Sequence, residues 1–256
     1  DLRHATVRIS AIGDEPAREQ TMEGLDSARG FLRRELAHRL SLRVTPDGHI
    51  ATTPHPRALG SALTNGQFTT DYSEALIELV TPTFTTNWEL LQYLCDMHQF
   101  VYRHLGDERL WATSMPCRIE SDESIPIAQY GPSHIGRMKS VYREGLGIRY
   151  GRVMQAISGV HFNYSFPGKF WEPYAALRER DESSALRSAA YFDLLRNYRR
   201  HGWLVLYLFG VSPAVCSSFL RVRGETLPFL SKGTAYEPFA TTLRMSDLGY
   251  RNRKQA

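Results

Sequence analysis

Cysteine is scarce in this sequence: three residues among 256, at positions 95, 117 and 216, with no CxxC pair. So few and so scattered, they exclude a disulfide framework, argue against a structural zinc site and fit reduced thiols. GxxxxGK[ST] and GxGxxG are both absent, so neither a P-loop nor a Rossmann nucleotide site is supported. Charge of one sign is also lacking. Lys plus Arg number 31 and Asp plus Glu 27, a net charge of +4 with no basic run to concentrate it, so composition gives no sign of nucleic-acid binding. No repeat and no low-complexity tract appears. The start, DLRHATVRIS, has no basic-then-apolar signal peptide and no initiator Met, which points to a processed form or a fragment. The longest charge-free run is residues 202–220, GWLVLYLFGVSPAVCSSFL. A membrane-spanning helix needs about 20 mostly apolar residues, and here Gly210, Ser212, Pro213, Ser217 and Ser218 interrupt the run. It reads instead as a buried strand or helix end, WLVLYLFG, then a helix capped by Ser212 with Pro213 in its first turn.

Hydrophobic residues at 42% and charged residues at 23% are ordinary for a globular chain with room for a sizeable core. Residues 16–41 are charged and helix-favouring. Residues 42–50, LRVTPDGHI, read as strand, turn, strand around Asp47-Gly48. Residues 87–104 have Leu90, Leu91, Leu94, Met97 and Val101 near helical spacing. A polar loop is expected over 130–137, a helix over 139–158, and an alternating strand over 160–166 that stops at Pro167. A solvated charged connection, RERDESSALR, precedes a helix over 189–198. Helices mixed with alternating strands, without a βαβ rhythm, predict an α+β fold with an antiparallel sheet.

Four constellations can carry chemistry. Asp71, Glu74 and Glu78 lie within eight residues. On a helix all three share a face; on a strand 74 and 78 do, with 71 opposed. Grouped carboxylates suit a hard cation such as Mg²⁺, but equally make an ordinary solvated acidic face. His161, in SGVHFNYS, shares a strand face with Asn163 and Ser165, fitting a metal ligand, a proton-transfer group or a hydrogen-bonded sheet histidine. Residues 136–152 interleave Arg137, Lys139, Arg143, Arg149 and Arg152 with Tyr142 and Tyr150. This pattern serves phosphates, nucleic acid or a solvated helix face. Finally, Arg244, Ser246, Asp247 and Tyr250 form a polar set for a small zwitterion, with Arg244 suited to a carboxylate.

Taken together and in order, ATTPHPRALGSALTNGQFTTDYSEALIELVTP, SMPCRIESDESIPIAQYGPSHIGRMKSVYREGLGIRYGRVMQAISGVHFNYSFP, YLFGVSPAVCSSFL and YEPFATTLRMSDLGY closely resemble glutamate–cysteine ligase of the proteobacterial type. The resemblance runs from about residue 42 to 256. It implies an α+β fold on a curved, mostly antiparallel sheet related to glutamine synthetase. The chain would be the N-terminal part of a single catalytic domain, with 1–41 a poorly matching helical segment. It also implies a cytoplasmic enzyme that phosphorylates the γ-carboxylate of glutamate with ATP and joins it to the amino group of cysteine, the first step of glutathione synthesis. Mg²⁺ would be the cofactor, and glutamate, cysteine and ATP the small-molecule partners, with neither nucleic acid nor membrane involved. By motif, Asp71, Glu78 and His161 match metal-site residues. Tyr142, Gln155, Ile157, Arg244 and Tyr250 match the substrate cleft, and Arg143 is a candidate for a phosphate contact. No protein nucleophile is needed, so the three thiols get no catalytic role.

The sequence departs from that family in two places. The pattern before LRV is Gly-x-Glu-Arg-Glu-x-Leu-Arg-Val, whose glutamates bind metal; here His38 and Leu40 stand at those positions, with Glu35 three residues away from position 38. Leucine cannot ligate, and histidine is a poor partner for Mg²⁺. Family members also continue for about as long again, carrying further metal-binding acids and much of the ATP site, so association with such a second half is expected. The alternative is a non-catalytic amino-acid-binding or regulatory module of the same fold.

Overall fold

The computed structural model describes residues 36–210, 212–240, 243 and 246. Its organising strand is β1, Leu36–Val44. Side chains alternate across a strand, so His38, Leu40, Leu42 and Val44 take one face and Ala37, Arg39, Ser41 and Arg43 the other. Strand β2 (Phe68–Thr70) pairs with β3 (Leu76–Val80), and β3 pairs with one edge of β1. The other edge takes the two-residue β4 (Arg109–Leu110) and β5 (Val160–Asn163). Every pairing among these strands is antiparallel, as an α+β reading requires.

One face of the sheet is covered by helix α1, Asn87–Tyr102. Thr86 caps it, accepting from the Glu89 backbone N–H while donating to the Glu89 carboxylate. Met97 and Val101 pack on Leu59, Phe68, Ile77 and Leu79. The larger core lies on the opposite face, where Leu40, Leu42, Val44 and Leu76 meet Val153, Met154, Val215, Phe219 and Ala235.

Helix α2, His134–Tyr150, is capped by Ser133 and separated from the short α3, Arg152–Gln155, by Gly151 at φ 80. That left-handed residue divides the single helix expected over 139–158. Gly136 lets α2 approach closely: a Cβ there would stand 2.5 Å from the Tyr130 carbonyl. Helices α4 (Gly168–Leu177), α5 (Ser184–His201) and α6 (Trp203–Phe209) follow. A second, three-stranded antiparallel sheet is ordered β6 (Ala214–Cys216), β8 (Thr234–Tyr236), β7 (Phe229–Ser231), with α7 (Ser217–Arg223) after β6.

Several local expectations are corrected. Residues 36–41 form strand, not helix; the remainder of the 1–41 segment, residues 1–35, lies outside the described residues. The turn at Asp47-Gly48 forms, but Ile50 returns as a single bridge to Val44 and not as a strand. Ser212 and Pro213 do not start a helix: Ser212 Oγ accepts from the Ala214 N–H, and the chain extends to pair with β8 before α7 begins. The WLVLYLFG segment is helical and open, with Trp203 64% and Phe209 75% exposed. Among the described residues no helix is long and apolar enough to cross a membrane.

Candidate active site

Directly opposed residues in an antiparallel pair share a face. Position 40 opposes Glu78, and position 38 opposes both Val80 on β3 and His161 on β5. Glu78, His161 and the two positions where the family carries glutamate therefore lie on one face across three adjacent strands. Along β1 that face changes character, from apolar at Leu42 and Val44 to polar at His38. His38 Nδ1 lies 2.7 Å from Glu78 Oε1, and the His38 and His161 rings are 6.4 Å apart between centroids. Leu40, at 6% exposure, is a core residue.

A basic wall stands beside this patch. Tyr130 is buried, its hydroxyl donating to the Thr70 and Asp71 carbonyls and accepting from Thr70 Oγ1. Lys139 Nζ and the Arg143 guanidinium, one turn apart on α2, lie 5.0 and 4.6 Å from its ring centre. Arg143 also donates to the carbonyls of Asp71 and Lys139. Burial raises the Tyr130 pKa, with the Asp71 and Glu78 charges adding to the rise against Arg143. Burial and Arg143 lower the pKa of Lys139, and Glu78 opposes them. Asp71, Glu78, Tyr130, Lys139 and Arg143 thus form one electrostatic neighbourhood.

The third side comes from α3 and the chain leaving it. Asp122 holds α3 in place, its carboxylate accepting from the N–H groups of Arg152 and Val153 at 2.9 Å each. At the end of α3, Gln155 keeps a buried Nε2 with no hydrogen-bond partner among the described residues. Ile157 is buried in the same core as Leu40. The Gly159 carbonyl accepts from the Leu40 N–H, so this chain runs directly alongside β1.

The structure does not treat all sequence candidates alike. Glu78, His161, Asp71 and Arg143 fall in or against the patch. Tyr142 projects from α2 at 64% exposure, away from the Tyr130 contact made by its neighbour Arg143. Arg244, Asp247 and Tyr250 lie outside the described residues. Glu74 is a structural acid: its two oxygens accept from the backbone N–H groups of His55 and Gln129, each at 2.8 Å. Residues 71 and 74 precede β3, so neither periodic face pattern applies to them. Sequence reasoning missed the His38–Glu78 pair and the Tyr130–Lys139–Arg143 stack. The i, i+4 spacing of the two cations was visible, but the tyrosine they cover was not.

Among the described residues no three His, Cys, Asp or Glu side chains are grouped so as to hold a metal ion. The donor set accounts for this: Leu40 brings no ligand atom, and Glu78 is engaged by His38. Mg²⁺ demands near-octahedral oxygen ligation, and these residues do not form such a site by themselves.

With sheet, basic wall and α3 in place, the relationships are direct. Residues 25–256 match the family model described as glutamate–cysteine ligase, and the chain belongs to that family. It is 51% identical over 239 residues to glutamate–cysteine ligase of Edwardsiella ictaluri, covering 93% of this chain and 45% of that protein. Against the enzyme of Alcanivorax borkumensis it is 49% identical over 258 residues, covering 100% of this chain and 47% of that protein. Its structure resembles the crystal structure of the Francisella tularensis glutamate–cysteine ligase in complex with AMP, with TM-score 0.76 and 38% identity over 87% of this chain and 44% of that one. It also resembles a bifunctional glutathione synthetase from Pasteurella multocida, with TM-score 0.66 and 27% identity, covering 90% and 28% of the two chains. The chain therefore spans less than half the length of the curated relatives it matches.

Proposed function

We propose that this chain serves the ATP-dependent ligation of glutamate to cysteine, the first step of glutathione synthesis in the cytoplasm, as the N-terminal part of a single catalytic domain. The observation that carries this reading is the polar end of the β1–β3–β5 face, set against Asp71, Lys139 and Arg143, in a chain of this family. In this reaction the glutamate γ-carboxylate attacks the terminal phosphorus of ATP and ADP leaves. The cysteine amine then attacks the γ-glutamyl carbon and phosphate leaves. Both steps gather negative charge in one cleft, and fixed cations stabilise it as it develops. Lys139 and Arg143 supply two such charges, and we assign Arg143 to phosphate. Gln155, with its unpartnered buried amide N–H, Ile157 and Tyr142 are assigned to the amino-acid substrates, together with Arg244 and Tyr250. Asp71, Glu78 and His161 are assigned to a Mg²⁺ ion that accompanies the ATP phosphates. Its shell needs ligands from beyond the described residues, a requirement that fits association with a second half of the domain.

A second reading, amino-acid binding without turnover, is favoured by one observation: Leu40 is buried in the core and His38 has claimed Glu78. One set of measurements separates the two. Phosphate release is followed with glutamate, cysteine, ATP and Mg²⁺, and binding of each ligand by calorimetry at physiological ionic strength. By itself the chain is expected to turn over far below the usual enzyme range of roughly 1–10³ s⁻¹, to bind glutamate or cysteine more tightly than ATP, and to lose amino-acid binding in Arg244→Ala. Losing a buried bidentate contact costs about 2–5 kcal/mol. Full turnover would discard the second reading. Amino-acid binding indifferent to Arg244→Ala would discard the site assignment common to both.

A further inference from the structure

Helices α2 and α3 meet at Gly151, and contacts from outside both helices fix the joint. Gly151, at φ 80, takes a left-handed conformation that favours glycine, and a Cβ there would stand 3.3 Å from Asp122 Oδ1. The same carboxylate accepts from the Arg152 N–H through Oδ2 and from the Val153 N–H through Oδ1, each at 2.9 Å. Arg152 donates in return to the carbonyls of Glu123 and Ile125, at 3.3 and 3.2 Å. One turn earlier, Gly147 lets α2 close onto buried Tyr72; a Cβ at 147 would collide with the Tyr72 hydroxyl. Helix α3 is a single turn of four residues. A turn that short does not hold itself together, and its first N–H groups have no partners within it. The two charge-assisted bonds from Asp122 supply what α3 lacks.

The far end of this stretch is also tied down. The Ser158 N–H donates to the Ser114 carbonyl, and the Gly159 carbonyl accepts from the Leu40 N–H, each at 2.9 Å. Between the two anchors lie Gln155, with its unpartnered buried Nε2, and Ile157, packed in the core with Leu40. On the other side of the joint, α2 holds Lys139 and Arg143 over Tyr130.

We propose that Asp122 is a positioning residue for the ligation, fixing the α2–α3 joint so that glutamate held against Gln155 and Ile157 meets phosphate held by Lys139 and Arg143. This rests on the ligase reading of the chain. Asp122 bonds to backbone N–H groups and takes no part in the chemistry. Its effect is on geometry: the glutamate γ-carboxylate has to lie in line with a phosphorus, and a displacement of about 1 Å there costs on the order of 10²-fold. Losing the carboxylate frees α3 while α2 keeps its own cap and its contacts with Tyr130. The amino-acid side of the cleft should therefore suffer and the phosphate side should not.

The test uses the 256-residue chain. Calorimetry measures glutamate binding and, at low ionic strength, ATP binding, in the unsubstituted chain, Asp122→Asn and Asp122→Ala. Urea midpoints establish that each variant is folded under the conditions used. Glutamate affinity should fall by about tenfold or more in Asp122→Ala. The fall should be smaller in Asp122→Asn, which keeps one acceptor oxygen, and ATP binding should stay as in the unsubstituted chain. A carboxylate that only props up the fold would spare both ligands in a folded variant or weaken them together. Either result overturns the proposal. Where the alanine variant fails to fold, hydrogen exchange of the unsubstituted chain decides. Glutamate should slow exchange over residues 152–157 and leave α1 unchanged, and bound glutamate with no change over 152–157 overturns the proposal. An unsubstituted chain that binds no glutamate overturns the ligase reading and this inference together, whereas glutamate binding that survives Asp122→Ala overturns this inference alone.

Discussion

The α1 side of the sheet and the segment from β5 through α6 are both rich in large apolar side chains, with opposite fates. Under α1, Leu79 and Val101 are fully buried. Along β5 and α6, Val160, Phe162, Trp203, Tyr207 and Phe209 each expose more than half their surface. The difference lies in pattern. Helix α1 carries one apolar stripe matched to one sheet face, and that match is complete within the described residues. The sequence WLVLYLF of α6 is apolar all round, so burying it would need partners on several sides. Among the described residues it has no buried member. Apolar content alone therefore does not predict burial; a complementary surface does.

The sharpest way to break this contrast is to truncate both regions. Leu79→Ala leaves a cavity between β3 and α1 and is expected to cost about 2–4 kcal/mol. Phe209→Ser removes a side chain that packs on little and should change stability by no more than about 0.5 kcal/mol. Urea unfolding of the two variants, with equal m-values, makes the comparison. A loss in Phe209→Ser as large as in Leu79→Ala would show that α6 is covered in solution.

A smaller effect separates two acids four residues apart. Glu74 is a buried carboxylate on which two backbone N–H groups depend. Glu74→Ala strands both donors and should cost about 2–3 kcal/mol. Glu78 is partly buried and pairs with the His38 ring, so Glu78→Ala should cost about 1 kcal/mol, the net worth of one hydrogen bond. Its larger effect is expected on ligand binding, read by calorimetry with glutamate and ATP. Equal stability losses would mean that Glu78 is a structural acid like Glu74.

These two acids also mark how far the sequence could be read. Helix α1 was legible because stripe, cap and length agree locally, from Thr86 to Tyr102. The antiparallel α+β class and β5 were legible from alternation, and the vacant ligand positions at His38 and Leu40 from the family pattern. What failed was everything decided by a distant partner. Residues 36–41 continue a charged, helix-favouring stretch, but they form a strand paired with β3 and β5, and Arg43 on the same strand is buried. Its two terminal nitrogens donate to Glu108, Thr53 and the Glu74 carbonyl, none of them near it in sequence, while its Nε has no partner among the described residues. Ser212-Pro213 resembles a helix start, yet residues 214–216 are claimed by β8, some twenty residues later. The acidic run gave residue types but not roles, because β3 begins only at Leu76. Cys117 and Cys216 looked scattered until the second sheet brought their Sγ atoms within 2.6 Å.

The smallest expected effect lies in the buried region and concerns pH. Neither ring nitrogen of His55 has a hydrogen-bond partner among the described residues. Burial pushes its pKa below the ordinary 6.5; Glu74 opposes the change and Arg43 adds to it. The folded chain therefore takes up this proton less readily than the unfolded chain. Its contribution to stability is fully present above the unfolded value near 6.5 and is lost as pH falls toward the folded value. Asp47 and Glu123 are also lowered, Asp47 by its bond from Thr45 and Glu123 by its own backbone N–H, but from 3.8 and 4.5, so they act in a more acidic window. Urea midpoints measured from pH 7.5 to 5 should fall in the unsubstituted chain. In His55→Gln the fall should be shallower by at most one proton's worth of slope, whatever the variant does to stability at pH 7.5. Parallel profiles would show that His55 is protonated as easily inside the fold as outside it, and that this part of the buried side is wetter than its packing implies.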